Sequence, residues 1–222
     1  MGKLALLSYP SKSHRKKVVI PSESATLAEF IGIMLGDGGI GTVWQATISL
    51  NAVSDKSYSH YVADLCFKLF SILPAIRKRK NQNTLLLVLS SVVIVDFLMS
   101  HGFALGNKLK NGLRIPEWIL KNPDYARACI RGLVDTDGCL YIHRHMVRGK
   151  HYESVGLCFT SYSPELLCQV ASVFEQFGIF PHITDKGRRI YLYRKEAVAR
   201  YIEIFGTSNE RIERIYRKGG VA

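Results

Sequence analysis

The sequence predicts an α+β protein of 222 residues made of two pseudo-symmetric αββαββα repeats. Three observations predict this. Residues 28–38 (AEFIGIMLGDG) have a partner at 128–138 (ACIRGLVDTDG), an offset of 100. Residues 59–70, 85–89 and 97–102 match 163–174, 189–193 and 201–206, all at an offset of 104. Each copy then shows the same succession of helical and alternating apolar spacings.

The elements follow in order. Thr26 with Glu29 suggests a capping box for the first helix of unit one, and Asn122-Pro123-Asp124 is an N-cap with Pro at N1 for unit two. Gly38 and Gly138 end these helices. A strand pair follows, and in unit two Leu140 and Ile142 alternate with Tyr141 and His143. The next helices are predicted from Ser59 and from Ser163-Pro164, with apolar residues at i, i+3, i+4 and i+7. Second strand pairs are predicted at 76–80 with 85–89 and at 182–184 with 190–193, and a closing helix ends each unit. The step from 100 to 104 places four extra residues in the second unit, assigned to a hairpin loop at 146–153. Pro116 and Asn122-Pro123 mark the linker. The chain divides into a basic N-terminal arm (1–23), a first repeat with linker (24–120) and a second repeat (121–222).

An apolar fraction of 47% excludes general disorder. The longest apolar stretch, 85–99, is interrupted by Ser90, Ser91 and Asp96 and falls short of the ~20 residues of a membrane span. The apolar patch at 4–7 is too short for a signal peptide core. Five cysteines without a CxxC pair read as buried thiols of a reducing compartment, so the expectation is a soluble intracellular protein. Thirty Lys and Arg against 18 Asp and Glu leave a net charge of +12, spread over 12–17, 77–80, 144–150, 186–189 and 211–218. That distribution favours a polyanionic partner, most often nucleic acid.

The duplicated helix carries the chemistry. Gly32 and Gly132 lie in its interior, where each costs about 1 kcal/mol relative to Ala. With Gly36 and Thr136 four residues further on, they make one face small enough for two helices to approach at their backbones. Asp37 and Asp137 stand at the C-terminal ends, where the macrodipole disfavours a carboxylate. Asp-Gly alone commonly forms only a turn. Packed side by side in one direction, however, the helices bring both acids to one end, where they repel unless a cation lies between them. Mg²⁺ suits that place, since it takes one or two carboxylates and fills its other positions with water and phosphate oxygens.

The segments FIGIMLGDG (30–38) and IRGLVDTDG (130–138) resemble the paired motifs of the LAGLIDADG homing endonucleases in their single-chain, two-motif form. The resemblance covers nearly the whole chain beyond the first 20 or so residues. It implies two four-stranded antiparallel sheets backed by helices, gripping duplex DNA as a saddle, with the motif helices as the interface. It also implies that Asp37 and Asp137, with Gly36 and Thr136 beside them, bind Mg²⁺ (or Mn²⁺ in its place) and cut one strand each, leaving short 3′ overhangs. Leu35 stands where the family has its first acid, and Asp135, its equivalent in motif two, reads as structural. Arg131 replaces Ala at a position tolerant of change. The family places basic or amide residues near the metals; Lys108 matches one, and Arg214 and Lys195 are both candidates for its counterpart.

Residues on the outward strand faces should meet DNA: Thr47, Ser49, Arg77 and Arg79 in unit one, and Tyr141, His143, His145, Thr160, Arg189, Tyr191 and Tyr193 in unit two. The strand at 85–89, apolar on both faces, is expected at a sheet edge or covered on both sides. The first residue is neither Cys nor Ser and no His-Asn ends the chain, so a free-standing monomeric enzyme is expected rather than an intein. The main reading is a site-specific, Mg²⁺-dependent endonuclease for double-stranded DNA. The second reading is a maturase that binds intron RNA, or a non-catalytic DNA-binding regulator.

Overall fold

The computed structural model describes residues 17–147, 149–184 and 186–219. The first unit runs α1 (Ala25–Gly36), β1 (Gly38–Thr42), β2 (Gln45–Asn51), α2 (Lys56–Phe70), β3 (Ala75–Lys78), β4 (Thr84–Ser90) and α3 (Val92–Ser100). A short linker helix, α4 (Glu117–Leu120), precedes the second unit. That unit runs α5 (Pro123–Asp137), β5 (Gly138–Val147), β6 (Lys150–Thr160), α6 (Pro164–Gln176), β7 (His182–Thr184), β8 (Arg189–Leu192) and α7 (Lys195–Phe205). A further helix, α8 (Glu210–Lys218), is an addition to the repeated pattern.

Each unit forms a four-stranded antiparallel sheet, ordered β1-β2-β4-β3 and β5-β6-β8-β7. Strand alternation sends Ile40, Ala46, Ile48, Leu87 and Leu89 inward in one sheet, and Leu140, Val155, Leu157, Phe159, Ile190 and Leu192 inward in the other. These faces close on helices that add the edge-to-face pairs Phe30–Phe70 and Phe70–Phe97 in unit one and Phe174–Phe205 in unit two. The linker is held by the second unit: Leu113, Ile115 and Ile119 are buried, and the Gln169 side chain bonds both the N–H and the carbonyl of Ile115.

The helices α1 and α5 form the seam between the units. Their contacts advance in step, Gly32 against Cys129 and Leu133, Gly132 against Glu29 and Ile33, and Gly36 against Thr136, so they run parallel. A Cβ at Gly32 would lie 2.1 Å from the Cys129 carbonyl oxygen, and one at Gly132 would lie 2.3 Å from that of Glu29. The close approach therefore leaves room only for glycine at both crossings.

Several local expectations are corrected. Ser24, not Thr26, caps α1: its hydroxyl accepts from the Leu27 N–H at 3.2 Å. Glu29 thus falls beyond the first turn and turns into the seam instead of closing a capping box. Helix α2 begins at Lys56 rather than Ser59, because Asn51 Oδ1 accepts from the N–H groups of Val53 and Ser54 and folds the chain early. The extra length of unit two falls in the β5–β6 hairpin as expected, but as paired strand rather than open loop: Met146 pairs with His151 and Val147 with Lys150, and β5 and β6 run to 10 and 11 residues, against 5 and 7 for β1 and β2. Of the two expectations for 85–89, the edge placement fails, since β4 lies between β2 and β3, while the run Leu87, Val88 and Leu89 is buried on both faces. Only Cys66 and Cys129 of the five free cysteines are buried, because Cys139, Cys158 and Cys168 fall on outward faces. The basic stretch 12–17 lies, except for Lys17, outside the described residues. No helix among the described residues is long and apolar enough to cross a membrane.

Candidate active site and nucleic-acid interface

The parallel packing brings the two Asp-Gly ends together. Asp37 is the C-cap of α1, and Asp137 is the last residue of α5. Gly38 and Gly138 do not turn the chain through a left-handed conformation. The strands leave directly over the preceding helical turn, where a Cβ would strike Met34 or Val134. A Cβ at Gly36 would lie 2.0 Å from Thr136 Oγ1 and 3.5 Å from Asp137 Oδ2, so the Asp137 carboxylate lies beside the end of the other helix. The Thr136 hydroxyl donates back to the carbonyls of Gly132 and Leu133, at 3.0 and 2.9 Å.

Each helix end is closed by a cation. Lys108 Nζ donates to the carbonyls of Leu35 (2.7 Å), Gly36 and Gly38 (3.0 Å). The equivalent cation of the second unit is Arg211, in the first turn of α8. It donates to the carbonyl of Asp135 (3.2 Å) and twice to that of Gly138 (3.2 and 3.3 Å). These carbonyls lie 100 residues after those of Leu35 and Gly38, so Arg211 repeats the placement of Lys108. Arg214 is exposed further along α8 and Lys195 opens α7, so neither holds this place. The repeat offset of 104 carries Lys108 onto Ile212, one residue beyond Arg211, so the sequence signal for Arg211 was only approximate.

Electrostatics at this point is strained toward a cation. Burial, and then the neighbouring charge of Asp137, push the Asp37 carboxyl up to about 7 against the pull of Lys108 and Arg211. Asp137 is exposed as a residue, but its carboxyl is crowded against the α1 end and is also raised by burial, with Lys108 opposing. Burial lowers Lys108, and the two carboxylates draw it back up. Two hard anionic oxygen donors at one point, each raised toward neutrality by its surroundings, fit a divalent cation that also takes phosphate oxygens. Among the described residues no cluster of three or more His, Cys, Asp or Glu could hold a metal ion, so such a cation would draw further oxygens from backbone, water or substrate.

One flank of the seam is polar. Glu29, 2% exposed, accepts from Tyr61 OH (2.7 Å), Ser208 Oγ (3.1 Å) and Arg131, to which it is salt-bridged. Arg131 is therefore a partner of a buried acid rather than a substitution at an indifferent position. Asp135 accepts from Thr207 Oγ1 and from the Ser208 N–H (2.7 Å), which anchors the segment leading to Arg211. On the other flank the repeat places Cys129, Ile31 and Leu35 at the positions of Glu29, Arg131 and Asp135.

The outward sheet faces flank this centre. In the second sheet Tyr141 stands opposite Gly156, His143 opposite Ser154, and Thr160 opposite Arg189, while Tyr191 neighbours Cys158. The rings of Tyr191 and Tyr193 stack at 5.0 Å and 6°, and Arg189 Nη1 donates to Tyr191 OH at 3.4 Å. A groove of about 470 Å³ opens between Tyr141, His143, Ser154, Gly156 and Tyr193. His145 lies in β5, but its side chain is outside those described. In the first sheet Ser49 stands in one row with Leu86 and Arg77, and Thr47 in one row with Gly39 and Val88; Arg79 follows β3 into its hairpin turn.

Two sheets joined through paired helices, with an acid at each helix end, define a two-repeat α+β fold. Residues 124–218 match the family model described as LAGLIDADG-like domain. The chain as a whole has the fold of the single-chain, two-motif LAGLIDADG proteins. Similar solved structures include the I-LtrWI LAGLIDADG homing endonuclease bound to target DNA, with 10% identity, a TM-score of 0.60, and 88% of this chain and 89% of that one covered. Another is I-DmoI in complex with DNA and Mn, with 16% identity, a TM-score of 0.55, and 83% and 97% covered. Full-length DUF199/WhiA from Thermatoga maritima matches with 14% identity and a TM-score of 0.54 over 90% of this chain, which spans 62% of that protein. At these identities the likeness establishes the fold. No curated protein matches the sequence.

Proposed function

We propose that this chain is a site-specific endonuclease of the homing type, acting as a monomer on a long, asymmetric duplex DNA site. The observation that carries the reading is the meeting of Asp37 and Asp137 at one point, each beside a helix end closed by a cation. A protein that only binds phosphate has no use for paired acids at the phosphate-facing point, where they repel the ligand. The DNA-bound similar structures, one of them with manganese, support the partner and the use of a divalent metal.

In this reading the outward sheet faces seat the duplex, with Arg77, Arg79 and Arg189 on its phosphates or guanine edges and the tyrosines against bases. Asp37 and Asp137 would hold Mg²⁺, or Mn²⁺ in its place, with the Thr136 carbonyl and the remaining lone pair of the Gly36 carbonyl as added oxygens. The bound metal supplies an activated water and stabilises charge on the leaving oxygen. Lys108 and Arg211 neutralise the carbonyl-rich helix ends and offset the two carboxylates, so that a phosphodiester can approach them.

The test is a cleavage screen of the chain with Mg²⁺ against a library of duplex junctions, with the ends sequenced. Asp37→Asn should lower double-strand cutting by about a thousandfold or more while DNA affinity stays within a few-fold. Sequence-specific DNA or RNA binding with both strands left intact by the wild type would instead establish the regulator or maturase reading.

A further inference from the structure

Lys108 and Arg211 hold equivalent carbonyls, but they are themselves held differently. The segment carrying Lys108 is tied to its own unit: the Gly106 N–H donates to the Ile40 carbonyl at 2.8 Å, and Asn111 Nδ2 to that of Asn107 at 3.0 Å. The segment carrying Arg211 is tied to its own unit by Asp135, but the guanidinium itself is also held from across the seam. Its Nε donates to Oδ1 of Asp55, a first-unit residue, at 3.0 Å, and Asn209 Nδ2 donates to the same oxygen at 2.9 Å and to the Asp135 carbonyl at 2.9 Å.

Asp55 occupies the N-cap position of α2, where an aspartate ordinarily accepts from the first turn of its own helix. Here it makes no such bond. Its Oδ2 accepts from the Asn51 N–H and from Ser54 Oγ, both at 3.3 Å, which fixes the carboxylate within the first unit and leaves Oδ1 aimed at the second. The residue is buried, so the ion pair with Arg211 is shielded from solvent and its geometry is defined. Among the described residues the hydrogen bonds of Lys108 all go to first-unit carbonyls, so the dependence runs one way.

We propose that Asp55 is a positioning residue given by the first unit to the second. It holds the Arg211 guanidinium against the α5 end, so that the half of the catalytic centre served by Arg211 assembles only when the two units are seated together. The proposal rests on the nuclease reading. Its consequence is unequal dependence of the two strand cuts on Asp55.

The experiment follows cutting of each strand separately in a duplex labelled on both strands, using the site found by the screen. Asp55→Ala should slow one strand by about tenfold or more and the other by less than about threefold. Arg211→Ala should slow the same strand, and the double variant should be no slower than Arg211→Ala alone. Asp55→Asn, which keeps the volume and an acceptor oxygen, should recover part of the lost rate and guards against a variant that fails to fold. Metal-free NMR supplies a second readout: the Arg211 Nε–H resonance should exchange slowly in the wild type, where it is bonded to Asp55, and freely in Asp55→Ala. Equal slowing of both strands, multiplicative effects in the double variant, or an unchanged resonance would overturn the proposal. A wild type that cuts neither strand overturns the nuclease reading and the strand-selective role with it, and the resonance then reports only whether the contact exists.

Discussion

The two sheets follow the same chain path and differ where they face outward. The second presents Tyr141, His143, Thr160, Arg189, Tyr191 and Tyr193, with two tyrosine rings stacked and a groove beside them. The first presents Gly39, Thr47, Ser49 and Leu86, with Arg77 at the end of a row and Val88 buried between its neighbours. Strand parity explains how both are possible. Inward positions are constrained by a shared apolar core, whereas alternate residues are free of it and can diverge without disturbing register. A duplex lying across both sheets would therefore be read mainly by the second and gripped with less discrimination by the first. The seam obeys the opposite rule, since both its glycine crossings are equally tight.

That contrast can be broken or sharpened by measurement. The largest effects belong to the seam. Gly32→Val and Gly132→Val should each cost about 4 kcal/mol in urea unfolding, because a backbone carbonyl of the partner helix blocks the new side chain. Unequal costs would mean that the units do not share the seam evenly. Arg131→Ala should cost about 2 kcal/mol by leaving the Glu29 charge buried with only Tyr61 and Ser208 as donors. Replacing the pair together, by Glu29→Gln with Arg131→Met, should restore most of that loss.

Smaller effects distinguish the outer faces. Arg189→Ala or Tyr191→Ala should weaken binding of the cognate duplex by about 1–2 kcal/mol, and Thr47→Ala or Ser49→Ala by less than about 0.5 kcal/mol, in a titration at fixed salt. Equal losses from the two sheets would refute the asymmetry.

The pH response of the acid pair is a separate test, at the end of the seam rather than on the outer faces. Asp37 is raised from 3.8 to about 7, so the folded state retains a proton that the unfolded chain has released. Stability of the metal-free protein is then fullest below pH 4 on this account and is lost as pH rises through 7. Thermal melts in chelator should show this fall, and Mg²⁺ should offset it above pH 7. Asp37→Asn should flatten the slope only in part, since burial also raises Asp135 to about 7.

Much of this was legible in the sequence because it is local or repeated. Apolar spacing reports helices and strands directly, and the duplication exposed the paired glycines and the two Asp-Gly ends. The cap at Ser24 and the early start of α2 are not legible in the sequence, because several nearby side chains compete for one turn and their outcome is geometric. Arg211 was hidden for a related reason. The candidates Arg214 and Lys195 have the right charge, but only the path of the 207–211 segment, anchored by Asp135, decides which cation reaches the helix end.

By itself, then, the order of residues determined two αββαββα units, a close-packed pair of helices and an acid at the end of each, since these depend on periods and spacings within a few turns of chain. The tertiary structure alone decided that Glu29 meets Arg131, that Asp55 reaches Arg211 across more than 150 residues, and that the two sheets face outward with such different surfaces. Those pairings depend on how rigid elements seat against one another in three dimensions, and no local period encodes that.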